Sequence, residues 1–208
     1  MSKDPLLTGK PGVILRVQVP PLRYVAIDGQ GAPGGDVYGT AVAALYALAY
    51  GARFAGKALG HDDKVGPLEG LWWADDLAAF LTGDRAVWRW TMMIRAPDWL
   101  DDATLETLRA AAQAKRRKDK PEVAQALAEV TLNVVDEGDC LQALHLGPYA
   151  DEAPLIARLH EQAAELGLAL HGQHHEIYLS DPNRTAPEKL KTIIRQPVRA
   201  KSKNLSTS

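Results

Sequence analysis

The segment GQHHEIYLSDPNRTAPEKLKTIIRQPV, residues 172–198, contains two runs of strand-forming residues separated by turn formers. The first run, 174–179, includes Ile177 and Tyr178, and the second, 191–198, is rich in β-branched residues. The Ser-Asp-Pro-Asn sequence between them is typical of a turn. We therefore predict two consecutive strands, and the first of them begins with two histidines and an acid.

Three roles are open for that acid, Glu176: ligand of a metal ion, partner in an ion pair, or working group of a ligand pocket. An H-x-x-H spacing at His171 and His174 suggests a metal, but successive side chains of a strand point to opposite faces. Glu176 then shares a face with His174 and Tyr178, whereas His175 turns away, which leaves too few ligands for zinc. We therefore expect no metal site.

The two remaining roles use the same carboxylate differently. A nearby Arg or Lys, such as Arg195 on the following predicted strand, can neutralise Glu176 in a structural ion pair. Alternatively, surrounding Trp and Tyr rings would partly desolvate the carboxylate, make it a stronger base and attract cations over their faces. The residues alone leave both roles open.

The predicted elements follow the same order in the two halves of the chain. Each half contains a strand, a turn, a helix and two further strands, and an acid opens the first strand after the helix. These acids are Glu69 and Glu176. The predicted elements are 24–28, 37–58, 69–73 and 87–95 in the first half, and 140–145, 153–166, 174–179 and 191–198 in the second. We predict an α+β fold of duplicated β-α-β-β halves that share a pseudo-twofold core with a ligand cleft.

The two repeats, about 13–97 and 130–199, are expected to form one domain over 1–199, with linker helices within 98–129. Residues 200–208 are polar, and we expect a disordered tail there. Residues 130–135 and 140–146 are predicted to pair as strands across the turn 136–139. Asp151 or Glu152 is expected to cap the second-half helix.

Composition narrows the function classes. The 208 residues are 46% hydrophobic and 24% charged with a net charge of -2, which is typical of a globular domain and gives no reason to expect a nucleic-acid partner. The only cysteine is Cys140, and the sequence contains neither a signal peptide nor an apolar run of about 18 residues. We therefore expect a cytoplasmic protein without a membrane partner. Among the possible functions, a module that binds a protein partner is the least favoured. The basic run 115–120 is interpreted as a solvated loop.

Aromatic residues indicate where a ligand binds. Five tryptophans lie between residues 72 and 99, more than a sheet of this size needs for packing. We predict that at least two of them line a ligand cleft. The predicted ligand-binding residues are Glu69, Trp72, Trp73, Trp90, Tyr50, Tyr178 and Met92.

Several segments resemble the GyrI-like small-molecule-binding proteins, in particular their stand-alone bacterial branch. The segments are YVAIDGQGAP (24–33), ALYALAYGARFAGK (44–57), PLEGLWW (67–73), WTMMIRAPDW (90–99), LHLGPYADE (144–152) and HHEIYLSDPNRTAPEKLKTIIRQPV (174–198). The resemblance implies an antiparallel sheet with two long helices and a pocket between them. Glu176 matches the buried glutamate that meets cationic aromatic drugs in effector-binding domains of multidrug-sensing regulators.

The resemblance also implies an activity. Some stand-alone members are similar to hydrolases that open the strained cyclopropane of DNA-alkylating natural products. A hydrophobic aromatic ligand and no cofactor are then expected, with Glu176 activating water and Tyr149 or Tyr46 donating to the developing phenolate. The alternative is a non-catalytic protein that binds or senses drugs without a DNA-binding module.

Overall fold

The computed structural model describes residues 4–73 and 87–201, which form two compact units of α+β structure. The continuous unit comprises residues 21–135, and the split unit combines residues up to Pro20 with those from Asp136 onward. Every strand pair within each unit is antiparallel, as predicted. No helix of the described residues is long and apolar enough to cross a membrane.

The helices and strands follow the predicted order. In chain order they are β1 (Ile14–Val19), β2 (Leu22–Gln30), α1 (Asp36–Ala58), β3 (Leu68–Trp73), β4 (Arg89–Arg95), α2 (Asp102–Arg116), α3 (Pro121–Ala126), β5 (Thr131–Val135), β6 (Gly138–Leu146), α4 (Ala153–Glu165), β7 (Leu168–Leu170), β8 (His174–Tyr178) and β9 (Lys191–Ala200). The β2-α1-β3-β4 and β6-α4-β8-β9 sequences are the two predicted β-α-β-β halves, and the short strand β7, which was not predicted, lies between α4 and β8. Of the predicted tail, 202–208 lies outside the described residues.

The continuous unit packs α1 against one face of a sheet with the strand order β3-β4-β2-β5. Gly29, Trp90 and Trp72 are cross-strand neighbours on that face. The ring of Tyr38 from α1 stacks on Trp72 with centroids 6.2 Å apart and meets Trp90 edge-on at 5.6 Å. The alternation of β4 therefore places Trp90 against the helix, while the buried Met93 packs on the opposite face with Tyr24 and Leu71.

Gly29 leaves room for the ring of Trp90. A Cβ atom at Gly29 would lie 2.1 Å from Cη2 of Trp90, whose side chain is fully buried. We expect Gly29→Ala to lower the free energy of unfolding by about 1–3 kcal/mol, the usual cost of overpacking a core, in urea denaturation. The control is Gly39→Ala in α1, where a Cβ atom meets nothing within 4 Å. Equal losses in the two variants would contradict the steric explanation.

The split unit has the strand order β1-β6-β9-β8, and β7 pairs with the end of β9. On one face, Leu159 and Ala163 of α4 pack on Ala143 and Ile194. On the other face, Leu7 from the N-terminal segment packs against Leu144, Ile177 and Ile193. Both faces of this sheet are therefore covered.

Two strands have partners that differ from the predicted ones. β1, assigned to the first repeat, pairs with β6 of the split unit, because the consecutive prolines Pro20 and Pro21 separate it from β2. The predicted pairing of 130–135 with 140–146 is wrong, since β5 pairs with β2 while β6 pairs with β1 and β9. Glu137, expected in a turn, is buried against Arg195.

Candidate functional site

Strand β8 presents Glu176 on the sheet face that α4 covers, since Glu176 lies opposite Ile194 of the α4-facing cluster. The hydroxyl of Tyr178 donates to Glu176 Oε2 at 2.8 Å, and Nε2 of His174 lies 3.3 Å from Oε1. The shared face of these three residues is thereby confirmed. The Glu176 side chain is 16% exposed, so the carboxylate is held by two neighbours and still reached by solvent.

The ion pair considered between Glu176 and Arg195 is wrong. Arg195 lies directly opposite His175 in the sheet and therefore shares the other face. There Nη1 of Arg195 donates to Glu137 Oε2 at 3.0 Å, and Nδ1 of His175 lies 2.9 Å from Glu137 Oε1. Arg195 is thus committed to Glu137, which the sequence pattern did not indicate as its partner.

Arg195 and Gln142, which belong to the same buried hydrogen-bond network as Glu137 and His175, also bind the backbone of the N-terminal segment. Nη2 of Arg195 donates to the carbonyl oxygen of Leu6 at 2.9 Å, and Nε2 of Gln142 donates to that of Thr8 at 3.3 Å. Burial alone would raise the pKa of Glu137, but the charges and hydrogen bonds of His175 and Arg195 outweigh burial and lower it to about 2. The network is therefore a stabilising element of the fold.

Glu152, which immediately precedes α4, is a residue that the sequence analysis missed as a functional candidate. Glu152 occupies the expected N-cap position of α4, but its side chain makes no capping hydrogen bond and the residue is only 4% exposed. Burial, and then the charge of Glu176, raise the pKa of Glu152 to about 8. The hydroxyl of Thr192 partly opposes this shift, although the two side chains do not meet in hydrogen-bonding geometry. Glu152 consequently keeps its proton at neutral pH.

Tyr149 joins the same group of side chains from the short turn before α4. Its ring meets that of Tyr178 edge-on, with centroids 5.6 Å apart. Burial, followed by the charges of Glu152 and Glu176, raises the pKa of Tyr149 to about 12, so its hydroxyl remains a hydrogen-bond donor. We define the Glu176 cluster as Tyr149, Glu152, His174, Glu176 and Tyr178. It places a carboxylate beside a protonated carboxyl group and two phenols, an arrangement suited to acid–base chemistry.

The predicted ligand-binding acid of the first half, Glu69, is fully buried. The hydroxyl of Tyr24 donates to its Oε2 at 3.1 Å, and Nε of Arg95 lies 3.3 Å from its Oε1. Glu69 therefore takes part in an ion pair in which its own side chain is fully buried, the structural role that was also considered for Glu176. A ligand contact by Glu69 stays a prediction.

The predicted aromatic ligand residues of the continuous unit fall into two groups. Trp90 and Met92 are fully buried and Trp72 is 4% exposed, whereas Trp73 is half-buried. On α1, the rings of Tyr46, Tyr50 and Phe54 follow one another with centroids 6.2 and 6.5 Å apart, and Tyr50 is 45% exposed. The accessible candidates are thus Trp73 and the α1 rings, and their ligand contacts remain predictions.

A small pocket of the continuous unit opens to solvent. Its lining includes Val25, Ala52, Arg53, Asp63 and Arg95, and none of the predicted site residues. Across residues 4–73 and 87–201, no group of three or more His, Cys, Asp or Glu side chains is placed to hold a metal ion. The Glu176 cluster is therefore the candidate site on chemical grounds.

Comparison with known proteins adds the family context. A family model described as a GyrI-like small molecule binding domain matches residues 16–199. Two structures from Listeria innocua are similar to this chain. An uncharacterized conserved protein is 38% identical, with 91% of this chain and 93% of that chain covered and a TM-score of 0.79. A hydrolase is 36% identical, with 93% and 95% covered and a TM-score of 0.76.

More distant structures share only the fold. The C-terminal domain of EcmrR is 9% identical, with 91% of this chain and 98% of that domain covered and a TM-score of 0.56. No curated protein matches the sequence.

Proposed function

Because the chain belongs to the GyrI-like family of small-molecule-binding domains, we propose that it binds hydrophobic aromatic compounds and hydrolyses them at the Glu176 cluster. The observation that carries this proposal is the Glu176 carboxylate, which Tyr178 and His174 hold in place while 16% of its side chain stays exposed. A general base needs this combination of fixed position and access to water. Relatives 36% identical to this chain are hydrolases, which supports a reaction of the same class here.

The substrate class that suits these groups is a spiro-cyclopropane fused to a dienone. Water attacks a ring carbon, a strained carbon–carbon bond breaks, and its electron pair makes the neighbouring ring aromatic. Glu176 accepts a proton from the attacking water, and the Tyr149 hydroxyl donates a hydrogen bond to the developing phenolate oxygen. The strain and the gain of aromaticity drive this reaction, so the chemistry requires no cofactor.

The tyrosines of the cluster supply the binding surface for such a compound. Tyr149 is 38% exposed and packs edge-on against Tyr178, so an aromatic ligand gains ring contacts beside the carboxylate. A cationic group on the ligand would be attracted by the rings and by Glu176. Both hydrophobic and cationic aromatic compounds are therefore expected ligands.

The test is incubation of the protein with a duocarmycin-type alkylator that carries the cyclopropane, followed by mass spectrometry of the compound. We expect the mass to increase by that of one water in the presence of the protein and not with a heat-inactivated sample. Unchanged compound would contradict hydrolysis. If tyrosine and tryptophan fluorescence were nevertheless quenched on addition, the protein would be a non-catalytic drug-binding protein.

A further inference from the structure

We propose that Glu152 is the proton donor of this site and that the Thr192 hydroxyl binds the same substrate oxygen. The inference rests on the proposed hydrolysis and adds a second catalytic residue to it. The two side chains come from different elements, since Glu152 precedes α4 and Thr192 lies on β9 opposite Tyr178. They therefore converge on the cluster from two directions.

Two buried polar atoms support this assignment. Oε1 of Glu152 and Oγ1 of Thr192 are inaccessible to solvent, and neither meets a partner in hydrogen-bonding geometry within the part of the chain that the structure describes, although the two side chains lie close enough for the Thr192 hydroxyl to lower the pKa of Glu152. Folded proteins pair nearly all buried polar groups, so two unpaired atoms in one place indicate a site for a polar ligand group. A protonated carboxyl and a hydroxyl both donate, and a carbonyl oxygen, which accepts two hydrogen bonds, is complementary to them. As this oxygen becomes a phenolate it gains a third lone pair, which accepts the hydrogen bond from Tyr149.

The charged surroundings favour the protonated form of Glu152. Glu152 is influenced by Glu176 from β8 and in turn influences Tyr149 from its own turn, and His145 of β6 lies opposite Thr192 in the sheet. Burial and the charge of Glu176 raise the pKa of Glu152 to about 8. The carboxyl group of Glu152 is therefore protonated before the substrate binds.

Glu176 as proton acceptor and Glu152 as proton donor together account for every proton in the reaction. Water forms the new carbon–oxygen bond and gives one proton to Glu176. The cyclopropane bond breaks, its electron pair passes through the dienone, and the carbonyl oxygen takes the proton of Glu152 to become a phenol. Transfer of the proton from Glu176 back to Glu152 restores both groups, and the net change is the addition of one water.

The decisive variant is Glu152→Gln, which keeps the size and an N–H donor but has no proton to transfer. For the duocarmycin-type probe we expect kcat to fall by about 10²-fold or more, with ligand binding by fluorescence titration retained. Because the protonated form is active, wild-type kcat should decline as the pH rises through about 8, and this decline should be absent in the variant. Asp151→Asn, at an exposed position of the same turn, is the matched control and should keep the wild-type profile.

Thr192→Val provides a second test that leaves the proton donor in place. We expect a higher KM with the alkaline decline retained. Full turnover by Glu152→Gln with an unchanged dependence of kcat on pH would overturn the proton-donor role and leave the proposed hydrolysis intact. A wild-type kcat that stays constant through about pH 8 would do the same. Loss of binding equal to the loss of kcat/KM would also overturn it. No turnover by the wild type would instead overturn the hydrolysis on which the role rests.

Discussion

Glu176→Gln is expected to lower kcat for the duocarmycin-type compound by about 10²–10⁴-fold, the usual contribution of a positioned general base. Glutamine keeps the shape of the side chain, and its amide oxygen can still accept the hydrogen bond that Tyr178 donates at 2.8 Å. The amide cannot accept a proton from water, so binding should persist while chemistry is lost. Single-turnover mass spectrometry measures the rate, and fluorescence titration measures the binding.

Two further variants test whether the loss of kcat is specific to the Glu176 carboxylate. Glu161→Gln, on the exposed side of α4, makes the same chemical change away from the cluster and should turn over like the wild type. Tyr178→Phe removes one hydrogen bond to the carboxylate and should cost less than the loss of the base. Equal turnover by Glu176→Gln and the wild type would exclude Glu176 as the base.

Arg195→Gln is expected to lower the free energy of unfolding by about 3–5 kcal/mol, because it removes one partner of a buried ion pair. The Glu137 side chain is 5% exposed, so its charge would lose its guanidinium partner in a site that water hardly reaches. The hydrogen bond from Arg195 to the carbonyl oxygen of Leu6 would be lost as well. Urea denaturation at neutral pH measures the effect.

The matched control is Arg16→Gln, which removes an ion pair to Asp139 in which the arginine side chain is 54% exposed. An exposed pair of this kind contributes about 0–1 kcal/mol, so a comparable loss in both variants would contradict the role of burial. The pH dependence gives a second check. The pKa of Glu137 is lowered from 4.5 to about 2, so its stabilising contribution is complete above the higher value and is lost as the pH falls toward the lower one. Arg195→Gln should weaken that dependence.

Much of the fold was predictable because it depends on local patterns. The alternation within 174–178 correctly separated Glu176 from His175, and the apolar alternation of β4 correctly placed Trp90 and Met92 on one side. The order of strands and helices in the two halves is confirmed. Each of these features requires information from only a few neighbouring residues.

Strand partners and ion-pair partners were harder to predict because they join distant parts of the chain. The turn-like residues at 136–139 indicated a hairpin, but β5 and β6 obtain their partners from β2, β1 and β9. Arg195 was correctly placed on a strand next to β8, yet its partner Glu137 lies in a segment that was interpreted as a turn between two paired strands. A local pattern does not contain the register of strands that are remote in sequence.

The sequence by itself determined the order of elements, the α+β class, the family resemblance and the choice of Glu176 as the principal acid. It also indicated Tyr149 and Tyr178, which the structure brings together beside that acid. Only the tertiary structure decided that Glu152 is buried next to Glu176 and keeps its proton, while Glu137 is charged against Arg195. The physical reason is that protonation depends on burial and on nearby charges, and both are set by side chains that meet only when separate strands and helices pack together.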